Sequence, residues 1–223
     1  MKELVAKELA QRVANNTLIG VGTGSTVDLA LIEIGKRIKN EGLKISIVPT
    51  SIQSATRCHQ LGCTVLHPAA IGEIDWGFDG ADQVDQDLRL IKGHGGALLR
   101  EKILAVKCKI FTVIVDESKL TDTLGRNCLV PIEVIPEAHE YCTKEILKLG
   151  ATSAEIRQCK GGKHGPVITE CGNLIIDAGF TPIAPDLETR IKSITGVVEN
   201  GIFSNHASEV LIASASGITR RSK

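Results

Sequence analysis

The feature that most constrains this chain is a regular alternation of short apolar runs and helical patterns across its first half. Runs rich in Val and Ile predict strands at 17–21, 44–49, 63–66, 74–78, 88–91 and 109–115. Apolar residues at helical spacing predict helices at 2–15, 27–39, 51–61 and from 97 onward. Alternating strands and helices form a mostly parallel sheet with helices on both faces, so the sequence predicts an α/β fold.

The pattern changes from about residue 124. Strands are predicted at 131–135, 154–158 and 196–204, and a hairpin pairs 167–169 with 174–177. Helices are predicted at 137–149 and 186–194, and Lys160 and Lys163 are assigned to a solvated loop. This β-α-β-β-α-β order is typical of a small ferredoxin-like α+β unit. We therefore predict one domain from 1–124 and 199–223 and a smaller one from 125–198. A last apolar strand after 207 rejoins the first sheet, and the tail RRSK is expected to fray.

A glycine loop directly follows the first predicted strand, in the sequence GVGTGST at 20–26. A strand, a glycine loop and a helix form the arrangement in which backbone N–H groups and a helix N-terminus bind an anion. A dinucleotide fingerprint would need glycine where Ser25 stands, and a Walker A loop would need a lysine that this loop lacks. A cradle for a small phosphorylated ligand and a plain turn capped by Ser25 both stay open.

Glu101 lies on the helix predicted from the sequence ALLREKILAVKC. The spacing of the apolar residues predicts a buried stripe of Leu99, Ile103 and Val106. The residues three and four positions from Glu101, at 97, 98, 104 and 105, are all apolar. Desolvation by such neighbours raises the pKa of a carboxyl toward the range that a general base needs. The alternative is a solvated glutamate that pairs with Lys102 or Arg100.

Polar segments follow several predicted strands. DGAD at 79–82 follows the strand at 74–78, Lys92 follows 88–91, and Lys119 lies just after 109–115. Ligands of parallel sheets bind beyond the C-terminal ends of the strands. We therefore expect these groups and the GTGST loop to converge on one edge of the sheet. Turn formation, the ordinary role of aspartates in such segments, is expected of Asp85 and Asp87.

Composition excludes several classes of protein. Lys plus Arg and Asp plus Glu both number 26, so no overall field favours nucleic acid or an acidic membrane. Aromatic residues are 3%, too few for platforms that stack single-stranded nucleic acid. Apolar runs are too short to span a bilayer, and the start MKELVAKELA is too polar for a signal peptide. We expect a cytoplasmic protein with no nucleic-acid or membrane partner.

The seven cysteines include no CxxC motif and are expected to be reduced thiols. A metal site is conceivable near Cys58, where His59, Cys63 and His67 follow. Their spacing matches no standard zinc pattern, so burial of the cysteines in the core is favoured.

A hydroxyl-rich loop, paired aspartates, an isolated lysine and a desolvated glutamate together suit proton transfer between adjacent carbons of a sugar phosphate. A base removes the proton next to a carbonyl, and cationic or hydrogen-bonding groups stabilise the enediolate oxygens. Binding of the remote phosphate helps to orient the reacting carbons.

Five separated segments carry a family resemblance. GVGTGST at 20–26, DGAD at 79–82, KGHGGALLREKI at 92–103, VDESKL at 115–120 and NGIFSN at 200–205 resemble ribose-5-phosphate isomerase of type A. The resemblance covers essentially the whole chain, with the segments in order. It implies interconversion of D-ribose 5-phosphate and D-ribulose 5-phosphate, a step of the non-oxidative pentose phosphate pathway. It also implies a Rossmann-like domain with a small α+β domain, no metal or other cofactor, and a homodimer or tetramer.

The same resemblance implies roles for individual residues. Glu101 would be the base that moves the proton between C2 and C1. Asp79 and Asp82 would assist ring opening and move protons at the sugar oxygens, and Lys92 would stabilise the enediolate. Lys2 would reach the phosphate. The implied substrate contacts are Thr23, Gly24, Ser25, Thr26, Gly80, Ala81, Gly93, His94, Gly95 and Lys119.

His94 departs from the family pattern, which usually reads KGGG where this chain reads KGHG. A positive φ at this position would penalise histidine relative to glycine. The side chain could instead add a polar group at the rim of the site. We expect a tolerated side chain that points to solvent, because Lys92, Gly93, Gly95 and Glu101 are intact.

Two other functions compete with an isomerase. A non-catalytic sugar-phosphate sensor would carry a DNA-binding segment, for which the pattern leaves no room before Lys2, and would not need the pair Lys92 and Glu101. A deaminase or lactonase of phosphosugars is the third hypothesis. An assay with ribose 5-phosphate separates the three.

Overall fold

The computed structural model describes residues 1–162 and 164–223, so Lys163 of the predicted solvated loop lies outside the described residues. The chain folds into two compact units. The first unit contains Met1–Ala81, Arg100–Leu120 and His206–Lys223, and the second contains Asp82–Leu99 and Thr121–Asn205. The domain boundaries after 124 and after 198 stay a prediction.

The strands of the described residues are β1 Thr17–Val21, β2 Ile45–Pro49, β3 Thr64–Val65, β4 Ile74–Asp79, β5 Gln83–Val84, β6 Leu90–Ile91, β7 Cys108–Asp116, β8 Val130–Val134, β9 Ser153–Ile156, β10 Leu174–Gly179, β11 Val197–Asn200, β12 Ile202–Phe203, β13 Glu209–Ser214 and β14 Gly217–Ser222. The α-helices are α1 Lys2–Gln11, α2 Ser25–Glu41, α3 Ile52–Gln60, α4 Leu98–Lys107, α5 His139–Lys148 and α6 Leu187–Lys192. Short 3₁₀ turns lie at Pro68–Ala70, Glu117–Lys119 and Pro136–Ala138.

The first unit is built on a seven-stranded sheet in the order β14-β13-β7-β4-β1-β2-β3. Every neighbouring pair is parallel except β13 and β14. From β1 the chain builds outward through β2 and β3, and then through β4, β7 and β13 on the other side. The strand order therefore reverses between β1 and β4, which is where ligands bind in open parallel sheets. The predicted α/β fold with a mostly parallel sheet is confirmed.

The core of the first unit explains why its helices form. Val5 and Leu9 of α1 and Leu31 and Ile34 of α2 are fully buried, at spacings of three or four residues. They pack in one cluster with strand residues such as Ile19. Transfer of each such side chain from water contributes about 1.5–3 kcal/mol, which offsets the entropy of ordering the helix. Cys58 and Cys63 belong to the same cluster, so the prediction that these cysteines are buried in the core is confirmed.

A buried carboxylate ties the edge of this sheet together. Glu209 of β13 accepts hydrogen bonds from Thr112 of β7 and Arg12, both at 2.6 Å, and pairs with Arg220 of β14. Burial raises the pKa of Glu209, but the Thr112 hydroxyl and the charges of Arg12 and Arg220 outweigh it, so the pKa lies below its ordinary value. The carboxylate therefore stays ionised inside the sheet.

The second unit contains a four-stranded antiparallel sheet in the order β11-β8-β10-β9. With α5 after β8 and α6 after β10, this is the ferredoxin-like arrangement predicted from the sequence. Its own core includes Ile132, Ile146, Ile176 and Ile191. A small three-stranded sheet in the order β12-β6-β5 belongs to the same unit.

Two details of the prediction are wrong. The tail RRSK does not fray, because Arg220 and Arg221 lie in β14, which pairs with β13 along its length. Exposed charged side chains are typical of such edge strands, and they hid the strand in the sequence. The segment 167–169 does not form the predicted strand, since its pairing with 174–177 is limited to one antiparallel bridge between Ile168 and Leu174. The strand β10 pairs with β8 and β9 instead.

Candidate active site

The glycine loop after β1 is built around the carboxylate of Asp79, the last residue of the neighbouring β4. Oδ1 of Asp79 accepts hydrogen bonds from the backbone N–H of Thr23 at 3.1 Å and of Gly80 at 2.7 Å. A Cβ on Gly22 would lie 2.0 Å from Cγ of Asp79, so only glycine fits at this point of the loop. Asp79 is fully buried. The first part of GTGST therefore fixes one proposed catalytic carboxylate.

The hydroxyl of Thr23 is engaged away from the loop. It lies 2.7 Å from the hydroxyl of Thr50 and 2.8 Å from that of Ser51. The hydroxyl of Ser54 donates to the carbonyl of Gly22 at 2.7 Å. This cluster at the start of α3 fixes the loop from its other side. The family resemblance implies that Thr23 contacts the substrate, and in the structure its hydroxyl also holds the loop.

The start of α2 lacks a side-chain cap. The capping residue is Gly24, with φ +141°, and not Ser25 as the plain-turn interpretation required. The first N–H groups of a helix carry partial positive charge and suit an anion. Nζ of Lys2 lies 3.2 Å from the hydroxyl of the exposed Ser25. A cation and a hydroxyl thus accompany the N-terminus of α2, next to the half-buried Thr26.

Lys119 lies on the 3₁₀ turn that follows β7, at the same end of the sheet as the glycine loop. The charges of both Lys119 and Lys2 lower the pKa of Asp116, the last residue of β7. Burial raises the pKa of Asp116, and hydrogen bonds from Ser118 and the charges of the two lysines lower it to a net value below the ordinary one. The two lysines therefore share one electrostatic neighbourhood. The sequence places Asp116 just past the predicted strand but assigns it no role.

Glu101 lies in the first turn of α4 and is 2% exposed. The buried members of this helix include Glu101, Lys102, Leu104 and Ala105. The predicted stripe is wrong, because Ile103 is 38% and Val106 67% exposed. The helix is rotated so that the face with Glu101 is packed and the larger apolar stripe faces solvent. The alternative of a solvated glutamate is therefore excluded.

Lys92 was expected to follow a strand of the parallel sheet, and this expectation is wrong. Lys92 lies in the second unit. It follows β6, which pairs antiparallel with β5 and β12. The Lys92 N–H donates to the carbonyl of Gly201 at 2.9 Å, and a Cβ on Gly201 would lie 2.2 Å from the Lys92 carbonyl. Nζ lies 5.7 Å from the ring centre of Phe203, within cation–π range. The NGIFSN segment thus holds the proposed catalytic lysine, which is 2% exposed.

The turn after Lys92 is anchored to Asp82. Oδ2 of Asp82 accepts a hydrogen bond from the backbone N–H of His94 at 3.1 Å, and the Asp82 N–H donates to the carbonyl of Ile91 at 2.8 Å. Gly93 has φ +101°. A Cβ added to Gly93 would lie 2.7 Å from Cβ of Leu98, so a side chain does not fit there. Gly95 is exposed with open space beside it. Asp82 and residues 92–96 therefore form one cluster within the second unit.

His94 carries no backbone penalty, since it is absent from the described non-glycine residues with positive φ. Its side chain is partly exposed, yet both ring nitrogens have neighbours. Nε2 lies 3.1 Å from the carbonyl of Leu129 and Nδ1 lies 3.6 Å from Oδ1 of Asp82. The substitution for the family glycine adds a side chain that bridges Asp82 and Leu129.

Asp85 has the structural role expected of it. Its carboxylate accepts hydrogen bonds from the N–H groups of Asp87 and Arg89 and pairs with the Arg89 side chain at 2.7 Å. Among residues 1–162 and 164–223, no group of three or more His, Cys, Asp or Glu side chains is placed to hold a metal ion. Across the same ranges, no helix has the length and apolar character needed to cross a membrane.

The chain matches the family model of ribose 5-phosphate isomerase A (phosphoriboisomerase A) over residues 46–217. The ribose-5-phosphate isomerase A of Methanococcus vannielii is 44% identical over 218 residues, which are 96% of this chain and 90% of that protein. The enzyme of Thermococcus kodakarensis is 41% identical over 99% of this chain and 96% of its own length.

Solved structures show the same likeness. Ribose 5-phosphate isomerase A from Methanocaldococcus jannaschii superposes with a TM-score of 0.95 at 39% identity, over 100% of this chain and 98% of that chain. A D-ribose-5-phosphate isomerase in complex with phospho-erythronic acid matches with the same score and identity, over 100% of this chain and 97% of that chain.

Proposed function

The chain belongs to the ribose-5-phosphate isomerase A family and interconverts D-ribose 5-phosphate and D-ribulose 5-phosphate, and on this premise we propose which residues carry the reaction. The comparisons do not favour a sugar-phosphate sensor, deaminase or lactonase. The observation that carries the assignment is the burial of Glu101 in the first turn of α4.

Glu101 is the base of the isomerisation. Its carboxylate takes the proton from C2 of the open-chain aldose, the C–H electrons form the C1–C2 double bond, and the carbonyl oxygen at C1 becomes the enediolate oxygen. Glu101 returns the proton to C1, and the proton of the C2 hydroxyl passes to the oxygen at C1. C2 thereby becomes the carbonyl carbon and C1 the CH2OH group of the ketose. Burial supports this role, because a desolvated carboxylate is a stronger base than a hydrated one.

Lys92 stabilises the charge of the enediolate, and Asp79 and Asp82 open the sugar ring and move protons at its oxygens. The support is that each group is held by backbone contacts. Oδ1 of Asp79 accepts two N–H groups, Asp82 accepts the N–H of His94, and Lys92 is fixed to Gly201. Preorganised groups of this kind cost no reorganisation during the reaction.

The phosphate of the substrate binds at the uncapped start of α2. Gly24, Ser25 and Thr26 offer N–H and hydroxyl donors, and Lys2 and Lys119 supply positive charge. The relative solved in complex with phospho-erythronic acid binds a phosphorylated acid, which supports such an anion site. The further substrate contacts proposed are Thr23, Gly80, Ala81, Gly93, His94 and Gly95.

The variant Glu101→Gln tests the assignment, with Glu8→Gln, an exposed glutamate of α1, as the matched control. We expect kcat to fall by about 10²–10⁴-fold or more in Glu101→Gln, while sugar-phosphate binding measured by calorimetry persists. The control should keep wild-type turnover. In D₂O the wild type should place solvent deuterium at C1 of ribulose 5-phosphate. A near-normal kcat in Glu101→Gln would refute the role of Glu101.

The protein also acts as a homodimer, or a tetramer, in the cytoplasm. The family resemblance supports the oligomer, and the exposure of Ile103 and Val106 leaves apolar surface for a second copy to cover. Light scattering during gel filtration tests the oligomer. A monomer at micromolar concentration would contradict the proposal, and Val106→Glu should shift a dimer toward monomer.

A further inference from the structure

The backbone of the glycine-rich turn at 92–96 is intrinsically flexible, so contacts are needed to fix its conformation. Gly93 and Gly96 have φ values of +101° and +82°, in a region that glycine enters and leaves freely. His94 and Gly95 between them are exposed. Within the turn, the Gly96 N–H donates to the Gly93 carbonyl at 2.9 Å. The remaining order must come from groups outside the turn.

Arg157 supplies much of that order. Its Nη1 donates to the carbonyl of Gly93 at 3.1 Å and to the carbonyl of His94 at 2.9 Å. Its Nε donates to Oδ2 of Asp177 at 2.8 Å, and its Nη2 donates to Oδ1 of the same carboxylate. These contacts use nearly all N–H donors of a guanidinium group. Arg157 is therefore committed to the turn on one side and to Asp177 on the other.

The backbone of both Arg157 and Asp177 is held by hydrogen bonds to neighbouring strands and segments. Asp177 lies in β10, which pairs with strands on both sides, and Arg157 directly follows β9. The Arg157 N–H donates to the carbonyl of Ile175 at 2.8 Å, and its carbonyl accepts from Val167 at 2.9 Å. The side chains of Arg157 and Asp177 are 14% and 20% exposed. A planar guanidinium held by a two-point carboxylate contact has a fixed direction, which the point charge of lysine does not reproduce.

We propose that Arg157, oriented by Asp177, is a positioning residue of the isomerase reaction that holds the turn carrying Lys92. The inference rests on the proposed roles of Lys92 and of Gly93–Gly95. It goes beyond them because Arg157 lies far from that turn in sequence and contacts its carbonyl groups, not the substrate. Its effect on catalysis is exerted through the placement of the turn.

The first experiment compares Arg157→Lys with Arg190→Lys. Arg190 lies 3.9 Å from Asp186 on the exposed surface of the same unit, so the control makes the same Arg-to-Lys change at an ion pair between other residues. A misplaced catalytic group costs about 10²-fold, and we expect kcat/KM to fall by about 10- to 100-fold in Arg157→Lys, mainly through kcat. Arg190→Lys should match the wild type, and Lys92→Met is measured beside both.

The second experiment restores the lost group. A cavity of about 560 Å³ borders Arg157, Asp177 and His94 and gives access from solvent. In Arg157→Ala, millimolar guanidinium should recover kcat with saturation, because it can bridge Asp177 and the two carbonyls. Methylammonium at the same ionic strength should not. If Arg157→Ala fails to fold, the comparison of Arg157→Lys with Arg190→Lys decides.

The outcomes separate this inference from the proposed function. Wild-type kcat and kcat/KM in Arg157→Lys, with Lys92→Met impaired, would overturn the inference and leave the role of Lys92 standing. The same holds if Arg157→Lys lowers Tm without changing kcat or KM, since the contact would then be structural alone. Wild-type turnover in Lys92→Met would refute the role of Lys92 and, with it, the reason to position the turn.

Discussion

Replacing Gly22 by alanine should impair catalysis, because the new methyl group would displace the carboxyl group of Asp79. The added Cβ would lie 2.0 Å from Cγ of Asp79. Carbon atoms in contact are separated by about 3.5 Å, so the carboxyl group or the loop must move by about 1.5 Å. Gly22 is not among the glycines with positive φ, so the clash and not backbone strain carries the effect.

The size of the effect follows from what this displacement breaks. Oδ1 of Asp79 accepts hydrogen bonds from Thr23 and Gly80, and a shift of this size removes at least one of them. Overpacking and the loss of one hydrogen bond to a buried carboxyl group together cost about 2–4 kcal/mol. In a chain of this length that lowers Tm by about 4–16 °C. A catalytic group misplaced by about 1 Å costs about 10²-fold, so kcat/KM should fall by about that factor.

The assay is the isomerisation of ribose 5-phosphate at temperatures well below the Tm of the variant, together with a thermal melt. Gly72→Ala is the matched control, because Gly72 has open space where the Cβ would be added and does not have a positive φ. It should leave kcat/KM and Tm unchanged. If Gly22→Ala keeps both values of the wild type, Asp79 does not need its present position, and the role proposed for it is wrong.

Three further predictions concern the turn, the buried ion network and metals. Gly93→Ala should lose activity because of its positive φ and the lack of room for a Cβ, whereas Gly72→Ala, with open space and no positive φ, should keep turnover within about twofold. Because the pKa of Glu209 is lowered, its contribution to stability is present above its ordinary value of 4.5 and disappears as pH falls through the lower folded value. In urea unfolding, Glu209→Gln should therefore be less stable than the wild type at pH 7, and the gap should close on acidification; a constant gap would contradict this. Activity should survive EDTA, and a loss that added metal reverses would refute a metal-free reaction.

Strong local patterns predicted much of the fold. The predicted bounds of β1, β4 and β7 agree with the structure within one residue. β7 has the strongest signal, because its apolar run IFTVIV leaves few alternatives to a buried strand. The sequence also predicted that the GTGST and DGAD loops meet, since both follow parallel strands. The strand order shows them on the neighbouring strands β1 and β4.

Other features were ambiguous in the sequence. In α4, two sets of apolar residues have helical spacing, and the set with Ile103 and Val106 looked the stronger. The fold buries the other face, because burial is decided by the surface against which a helix packs and not by its own sequence. Likewise, DGAD and the aspartates after it look alike in sequence. Hydrogen bonds identify Asp85 as a turn former and Asp79 as the carboxylate that the glycine loop surrounds.

The sequence by itself determined the fold class and the family and supplied the proposed reacting groups, because these depend on local periodicity and on motifs of adjacent residues. The tertiary structure alone decided which face of α4 is buried, what His94 contacts and that Arg157 donates hydrogen bonds to the turn that follows Lys92. Each of these depends on residues tens of positions apart in the chain. Such pairs meet only after the sheets have formed, and no local pattern encodes them.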